Sequence, residues 1–425
     1  MTSAEVEVVG QDRPAPAPEE EELQGLPGIY RRALDNAKAG NLGILPIVLG
    51  QIFIVVFFSF KATNFFTAPN FVNIVIQMAG TTMLAYGIVF VLLLGEIDLS
   101  ISYVSGIGAL MAAELVLPGS GHVIPGGGLV AIAAAIAICA AIGAGQGSIV
   151  AYVGVPSFVV TLAGFLIWQG VIVRQLSARG AIGIQDRWVN YAATYYFSPL
   201  AGWIIAALIT GGYALGTLVG VAGKRRAGLV LSAPVVVAVK VLAIAAASFG
   251  TVAICNHAKV IGRSVGLPLA GVIIVIFLVV LTFLAKRTTF GRHVYAVGGN
   301  AEAARRAGIN VPRIRLIVFT LAGALAAIGG IILAANIQSV GADAGGGTLL
   351  LNAIAAAVIG GVSLFGGRGE VRGAFIGAMV IATVSNGLNT AGYNPGTIYV
   401  VTGIILLLAV ALDTVARRLQ VRSGR

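Results

Sequence analysis

Residues 91–100 read VLLLGEIDLS and place two carboxylates, Glu96 and Asp98, between two apolar stretches. An ionised carboxylate is costly inside a hydrocarbon core, so such residues in a membrane segment are usually paired or functional. Two interpretations follow from the residues alone. The carboxylates form an ion site within the membrane, or they lie at a turn between two helices. In the second case Asp98 caps a helix that starts at Leu99, and Gly95 ends the helix before it.

The composition around this stretch indicates a membrane protein. Of the 425 residues, 58% are hydrophobic and only 10% are charged, and the mean hydropathy is +0.97. Soluble domains carry about 25% charged residues. Glycine is abundant, with 58 residues, as expected where small residues let membrane helices approach closely. Cys139 and Cys255 lie far apart in the chain, so no disulfide framework is indicated.

The first 28 residues differ in composition from the rest of the chain. They include PAPAP at 14–18 and four glutamates at 19–22, with few large apolar residues. Such a segment cannot bury enough surface to fold alone, so we expect residues 1–28 to be a disordered cytoplasmic tail. It lacks the basic start, apolar stretch and cleavage site of a signal peptide. Residues 29–425 are expected to form a single transmembrane domain.

Hydropathy predicts an all-α polytopic fold with twelve hydrophobic segments, of which 10 to 12 are true spans. The segments are 44–60, 73–94, 99–117, 129–151, 155–174, 200–221, 229–249, 267–285, 316–335, 349–366, 372–391 and 396–414. The tenth is short and flanked by glycine, which makes it a candidate re-entrant hairpin. The broken composition of residues 71–94 is also compatible with an interrupted helix.

The distribution of Lys and Arg predicts the orientation, because cytoplasmic loops carry an excess of both. With the N-terminus inside, nineteen basic residues fall on inside loops and six outside. The outside residues are Lys61, Arg174, Arg179, Arg187, Lys259 and Arg263. Both termini are therefore predicted to be cytoplasmic. The net charge of +11 reflects this topology and does not indicate a nucleic-acid partner, because the basic residues are scattered over separate loops.

The longest inside loop, residues 286–315, contains a short helix with clear start and stop signals. Asn300 is a suitable N-cap, Glu302 lies in the first turn, and Arg305 and Arg306 lie in the last. Gly308 follows the end. The pattern predicts a helix of about two turns over 301–307, preceded by a flexible Gly298-Gly299 pair. Such a helix either docks into a groove on another protein or is simply a basic inside loop that is helical.

Four stretches in order resemble the permease subunits of bacterial ABC importers for ribose and xylose. They are GEIDLS at 95–100, VPSFVVTLAG at 155–164, YAVGGNAEAARRAGINV at 295–311 and NAIAAAVIGGVSLFGGRG at 352–369. The resemblance covers roughly residues 70–415. The extra pair of segments at 200–250 and the acidic residue before Ile97 resemble the longer xylose-type members.

This resemblance implies a multi-pass subunit of the bacterial inner membrane that forms a homodimeric pore. A cytoplasmic ABC ATPase pair would drive it, and an extracytoplasmic sugar-binding protein would deliver a pentose such as D-xylose. The coupling helix that grips the ATPase would involve Gly298, Gly299, Asn300, Glu302, Arg305, Arg306 and Gly308. The expected translocation pathway involves Glu96, Asp98, Ser100, Asn352 and Ser363, although each polar group could instead bond to backbone within its own helix.

The sequence carries no motif for its own energy supply. A phosphate-binding loop of the form G-x-x-x-x-G-K-[ST] does not occur, so ATP is expected to be bound by the partner subunit and not by this chain. His122, His257 and His293 are dispersed, so neither a metal site nor a hydrolytic triad is indicated. We expect no cofactor and no enzymatic activity.

Two alternatives remain open at the level of the sequence. In an ion-coupled secondary transporter, Glu96 and Asp98 would form the proton or cation site, with Gly95 breaking the helix beside it. In an ABC permease for another solute, the same architecture would carry a nucleoside or a branched-chain amino acid.

Overall fold

The computed structural model describes residues 45–118, 127–228, 234–258 and 266–422, so the predicted N-terminal tail lies outside the described residues. Within these ranges the chain forms fifteen α-helices. They are α1 (Leu45–Lys61), α2 (Ala68–Leu93), α3 (Ile101–Glu114), α4 (Gly127–Ser148), α5 (Ser157–Leu176), α6 (Arg187–Thr194), α7 (Pro199–Arg226), α8 (Pro234–His257), α9 (Leu269–Arg287), α10 (Thr289–Gly299), α11 (Ala301–Arg306), α12 (Val311–Ile337), α13 (Leu349–Ile359), α14 (Val371–Thr390) and α15 (Pro395–Arg422). A π-helical turn, Ile149–Val153, continues α4.

Eight of the described helices are long and apolar enough to cross a membrane, namely α2, α4 with its π-turn, α5, α7, α8, α9, α12 and α14. Shorter apolar helices lie in α1, α3, α13 and α15. The twelve predicted hydrophobic segments each overlap one of these twelve helices. The chain is therefore an all-α polytopic membrane protein, as its hydropathy predicted.

Helix α12 forms the centre of the bundle and packs against α2, α3 and α4. Glycines make this close packing possible, because a side chain would collide with the neighbouring helix. A Cβ at Gly330 would strike the carbonyl of Ser105, and a Cβ at Gly143 would strike the carbonyl of Phe319. Without a hydrophobic driving force between helices in lipid, such close backbone contact is what holds a membrane bundle together.

Helices α7 and α8 form a hairpin at the edge of the bundle. The rings of Trp203 and Phe249 stack across it with centroids 5.9 Å apart, and Thr210 and Ser248 share a hydrogen bond of 2.9 Å. Only 6% of the apolar window of each helix is buried in the chain, against 83% for α2. The extra pair of segments noted in the sequence is thus a peripheral hairpin whose surface suits contact with lipid.

A small antiparallel sheet lies at the C-terminal end of α12. Strand β1 (Ala181–Gly183) pairs with β2 (Ser339–Gly341), which directly follows α12. Because α12 has 27 residues, this sheet is about 40 Å from the start of that helix. Neither the sheet nor the amphipathic helix α6 was predicted from the sequence.

Four expectations from the sequence require correction. The tenth segment, predicted over 349–366, is helical only over Leu349–Ile359, which is about 16 Å long and too short to cross. Helix α12 begins at Val311, ahead of the predicted 316, because Pro312 lies in its first turn, where proline favours helix initiation. The 286–315 loop holds a second helix, α10. Finally, α2 is continuous and not broken.

Candidate functional site

The connection between α2 and α3 is built as a helix end followed by a turn at Asp98. Gly95 adopts a left-handed φ of 76°, and its N–H donates to Leu92 O at 2.8 Å. The N–H of Glu96 donates to Val91 O at 3.2 Å, which completes a Schellman motif. Asp98 then accepts the backbone N–H of Ser100 at 2.9 Å. The structure thereby confirms that Gly95 ends α2. Helix α3 starts at Ile101 and not at the predicted Leu99, with Ser100 at the N-cap position, so Asp98 supports the turn ahead of the helix and does not cap it.

The 95–100 loop also penetrates the bundle. Its Glu96 lies opposite Arg315 in the first turns of α12. The other end of the loop leads into Ile101, which lies deeper. The side chain of Ile101 and the backbone of Ala322 both lie against Gly87, because a Cβ at Gly87 would meet both of them. Seven residues of α12 separate these two levels, which is about 10 Å along the helix axis. The loop reaches into the bundle because α3 starts only at Ile101, eight residues after the end of α2. Helix α2 itself is continuous.

A buried polar network holds the 95–100 loop against α4 and α5. The Ser100 hydroxyl lies 2.7 Å from Asp98 Oδ1 and 2.8 Å from Gln146 Oε1. A hydroxyl has one proton to donate, and the Ser100 hydroxyl gives it to Asp98. The Gln146 side chain is therefore oriented with its amide nitrogen toward Ser100, so that this nitrogen donates to the hydroxyl oxygen. On the other side, Ser157 Oγ accepts the Ile97 N–H at 3.2 Å, and Thr161 Oγ1 donates to the Ile97 carbonyl at 3.2 Å.

Three backbone segments meet at the carbonyl of Leu93, in the last turn of α2. The N–H of Gly367 donates to this oxygen at 2.9 Å. Gly298, at the end of α10, packs so closely on the same oxygen that any Cβ would collide with it. Gly366 abuts both other segments, because a Cβ there would come within 2.7 Å of Gly298 O and 3.0 Å of Gly95 N. We call this contact of Leu93, Gly298, Gly366 and Gly367 the glycine junction.

Helix α11 has the predicted boundary signals and follows the glycine junction directly. Asn300 Oδ1 accepts the N–H of Ala303 at 2.9 Å, and Gly308 has a φ of 84°. Glu302 pairs with Arg305 at 3.0 Å and with Arg306 at 3.3 Å, and all three side chains are exposed. The predicted two-turn helix is confirmed over Ala301–Arg306, one residue shorter than expected.

The two glycines before α11 differ in a way that the sequence did not reveal. Gly299 has open space where a Cβ would be added, whereas Gly298 has none. Both are the last residues of α10. The expected flexible pair is thus a helix end in which Gly298 permits close packing.

Ion pairs connect the 286–315 segment to both neighbouring loops. Arg315 Nε lies 2.9 Å from Glu96 Oε1, which is the distance of an ion pair, although its N–H is not aligned for a hydrogen bond. Lys286 pairs with Glu370, which also pairs with Arg372 at 3.2 Å. Partial burial alone would raise the pKa of Glu370, but the Lys286 and Arg372 cations outweigh it and hold this pKa below its ordinary value. Glu370 therefore stays ionised at neutral pH.

The hydroxyl of Tyr295, in α10, donates to the carbonyl of Gly369 at 2.7 Å. Burial raises the pKa of Tyr295, and the negative charge of Glu370 raises it further. The phenol therefore keeps its proton at neutral pH and remains a hydrogen-bond donor to the loop after α13.

A cavity of about 200 Å³ lies between α2, the 95–100 loop and α13. Its lining residues are Ile88, Val91, Leu92, Ile97, Asp98, Ile354 and Leu364. The walls are apolar except for Asp98. Both loops that touch the glycine junction thus also border this cavity.

The structure distributes the five predicted pathway residues unevenly. Asp98 lines the cavity, while Glu96 turns to Arg315 and Ser100 is buried in the polar network. Ser363 is buried in the loop after α13, where its hydroxyl accepts the Phe365 N–H at 3.1 Å. Asn352 Nδ2 lies 3.3 Å from Thr348 Oγ1, and its buried Oδ1 has no hydrogen-bond partner among the described residues.

Several residues of this site were missed in the sequence. Gln146 carried a usable signal, since it is a lone amide in an otherwise apolar helix. Lys286, Tyr295, Arg315 and Glu370 carried none beyond their position in loops rich in basic residues. In the part of the chain that the structure describes, no group of three His, Cys, Asp or Glu side chains could hold a metal ion.

The family described as "Branched-chain amino acid transport system / permease component" matches residues 70–410. The xylose transport system permease protein XylH of Haemophilus influenzae is 35% identical over 379 residues, which are 89% of this chain and 97% of that protein. The Escherichia coli K12 protein of the same name is 34% identical, over 90% of this chain and 94% of its own length. The E. coli K12 ribose import permease protein RbsC is 32% identical, over 86% and 92%. No solved structure matches the chain.

Proposed function

We propose that this chain, which belongs to the family of transport-system permease components matched by residues 70–410, carries a pentose across the bacterial inner membrane, with D-xylose as the first candidate. Its similarity to permeases named for xylose and ribose supports a role as a sugar permease of an ABC importer. Such a subunit transports and does not catalyse.

One structural observation supports this proposal above the others. The exposed, capped helix α11 begins three residues after Gly298, which packs on the carbonyl of Leu93. The loop that follows Leu93 lines the cavity through Ile97 and Asp98. A partner that moves α11 can therefore act on the cavity through direct backbone contact. This is the arrangement expected if ATP hydrolysis by another subunit drives an alternation between two states.

The remaining parts of the importer follow from this assignment. A cytoplasmic ABC ATPase would dock on α11 and supply the bound ATP, an extracytoplasmic binding protein would deliver the sugar, and a second copy of the chain would complete the pore. The orientation has both termini cytoplasmic, as the distribution of Lys and Arg favours. No cofactor on this chain is needed for such a cycle.

Asn352 is a candidate polar contact for a neutral sugar outside the cavity itself. Its Oδ1 is buried and lacks a partner among the described residues, and it lies on α13 two positions before the cavity-lining Ile354, which places the two side chains on different faces of the helix. A hydroxyl-rich solute would satisfy this acceptor as it passes. The apolar walls would keep its binding weak, which favours release.

An ion-coupled mechanism is disfavoured by the state of the two carboxylates. Glu96 is paired with Arg315, and Asp98 accepts hydrogen bonds from the backbone and the hydroxyl of Ser100. A site that loads and releases a cation needs carboxylates that are free to change partner.

The test is uptake of radiolabelled D-xylose in cells that express the complete importer, with competition by D-ribose and L-leucine. We expect uptake that depends on ATP and persists when a protonophore collapses the proton gradient at constant ATP. Loss of uptake under the protonophore would overturn the ABC mechanism. No uptake of labelled D-xylose, together with ATP-dependent uptake of labelled L-leucine, would overturn the assignment of a sugar.

A further inference from the structure

The segment that carries α11 is held by an ion pair at each of its two ends. Lys286, in the last turn of α9, leads into this segment and pairs with Glu370. Arg315, in the first turns of α12, leads out of it and pairs with Glu96 at 2.9 Å. The two acids belong to different loops, one after α13 and one after α2.

Both of these loops border the same cavity. The loop with Glu96 contributes Ile97 and Asp98 to the lining, and the loop with Glu370 contributes Leu364. The first loop meets the glycine junction at its first residue, Gly95, which contacts Gly366, and the second loop contributes Gly366 and Gly367 to the junction itself. A displacement of α11 is thus delivered to two parts of the cavity lining through three separate connections.

The two ion pairs differ in exposure, and this decides which of them matters more. The side chains of Glu96 and Arg315 are 13% and 28% exposed, whereas those of Glu370 and Lys286 are 48% and 34% exposed. Exposed pairs are screened by solvent and contribute little, while partly buried pairs are screened much less. Glu370 also keeps Arg372 when Lys286 is removed. The Arg315–Glu96 pair is accordingly the stronger link.

We infer that Arg315 and Glu96 are positioning residues for transport, which transmit the movement of the ATPase-docking segment to the cavity wall at Ile97 and Asp98. This inference rests on the proposed function. Lys286 and Glu370 form the weaker link, to the part of the lining at Leu364. Neither pair contacts the sugar, and the contribution of both is mechanical.

The test measures D-xylose uptake and ATP hydrolysis together, in proteoliposomes that contain the complete importer. We compare Arg315→Gln, Glu96→Gln, and the exchange Arg315→Glu/Glu96→Arg. Arg313→Gln is the matched control, because Arg313 lies on the same turn of α12, is exposed and forms no ion pair among the described residues. A second pair, Lys286→Gln with its neighbour Arg287→Gln as control, tests the weaker link.

We expect each single variant of the strong link to lower the sugar carried per ATP hydrolysed at least five-fold, while hydrolysis stimulated by the binding protein stays within two-fold of wild type. The exchange variant should recover at least half of the coupling ratio. Lys286→Gln should lower it less than three-fold, and both controls should leave it unchanged.

Three outcomes would overturn the inference. The single variants could retain the wild-type ratio, they could lower hydrolysis and uptake in parallel, as a merely misfolded protein would, or Arg313→Gln could behave like Arg315→Gln. Failure of the proposed function gives a different result, because wild-type uptake would then not require ATP at all.

Discussion

The backbone N–H of Gly367 donates a hydrogen bond to the carbonyl of Leu93, with 2.9 Å between nitrogen and oxygen. These residues are 274 positions apart in the sequence, and the bond satisfies one of the carbonyls that the end of α2 leaves without an intrahelical partner. The same oxygen lies against Gly298. The end of one apolar helix is thereby the meeting point of the cavity loops and the segment that carries α11.

Gly298→Ala should damage this meeting point. The added methyl group would collide with the carbonyl of Leu93, and we expect a loss of about 1–3 kcal/mol in stability with at least a ten-fold loss of uptake. Gly299→Ala is the control, since no atom lies within 4 Å of its added Cβ. Thermal unfolding of the purified proteins and sugar uptake would be measured together. Equal behaviour of the two variants would contradict the close packing.

Asn300→Ala should remove the cap of α11. The loss costs about 1 kcal/mol at such a position, and a two-turn helix has little else to hold it. We expect several-fold lower uptake with an unchanged melting temperature of the whole protein, and recovery in Asn300→Ser. Asn310→Ala is the matched control, because Asn310 caps the 27-residue α12 through the N–H of Arg313 at 3.0 Å. Greater damage to uptake from the control than from Asn300→Ala would contradict this prediction.

Gln146→Leu should weaken the inserted loop. It removes the amide beside the buried hydroxyl of Ser100, and the loss of such a hydrogen bond costs about 0.5–1.5 kcal/mol, since the hydroxyl keeps Asp98 as its other partner. We expect lower thermal stability and reduced uptake. Thr210→Val also deletes a hydrogen bond, but in the peripheral α7–α8 hairpin, and should leave uptake near wild type. If both variants reduced uptake equally, the network around Ser100 would have no special role.

Arg305→Glu/Arg306→Glu should separate transport from ATP hydrolysis. Both arginines are exposed on α11 and are available to a docking partner. Reversing them also places negative charge at a helix C-terminus and beside Glu302, which disfavours the helix. We expect normal membrane insertion with uptake reduced at least ten-fold. Arg292→Glu/Arg313→Glu makes the same charge change elsewhere on the segment and should be much milder. Unchanged uptake in the α11 variant would count against docking at this helix.

Features that depend on neighbours in the sequence were predicted correctly. The hydrophobic segments coincide with helices because burial in lipid requires a continuous apolar run, which is visible residue by residue. The cap at Asn300 and the stop at Gly308 are made by groups within a few residues of the helix they bound. The turn at Gly95 is local for the same reason, whereas α3 starts two residues later than the predicted Leu99.

Features that depend on distant residues were not predicted. Helix α10 was predicted to be part of a loop. Gly298 was predicted to belong to a flexible pair, because the carbonyl that it packs against belongs to α2 and is not visible in the local sequence. The short extent of α13 was also missed, since its apolar run continues past the glycines at which the helix ends.

The sequence by itself determined that the chain is a polytopic membrane protein, where its long apolar helices lie, and that α11 carries caps at both ends. These follow from the hydrophobic effect and from hydrogen bonds within a single turn. Only the tertiary structure decided that Glu96 pairs with Arg315. It also decided that the Ser100 hydroxyl, which is bonded to Asp98, meets Gln146 of α4. The energy of a partly buried charge depends on which groups surround it, and folding brings those groups together from distant parts of the chain.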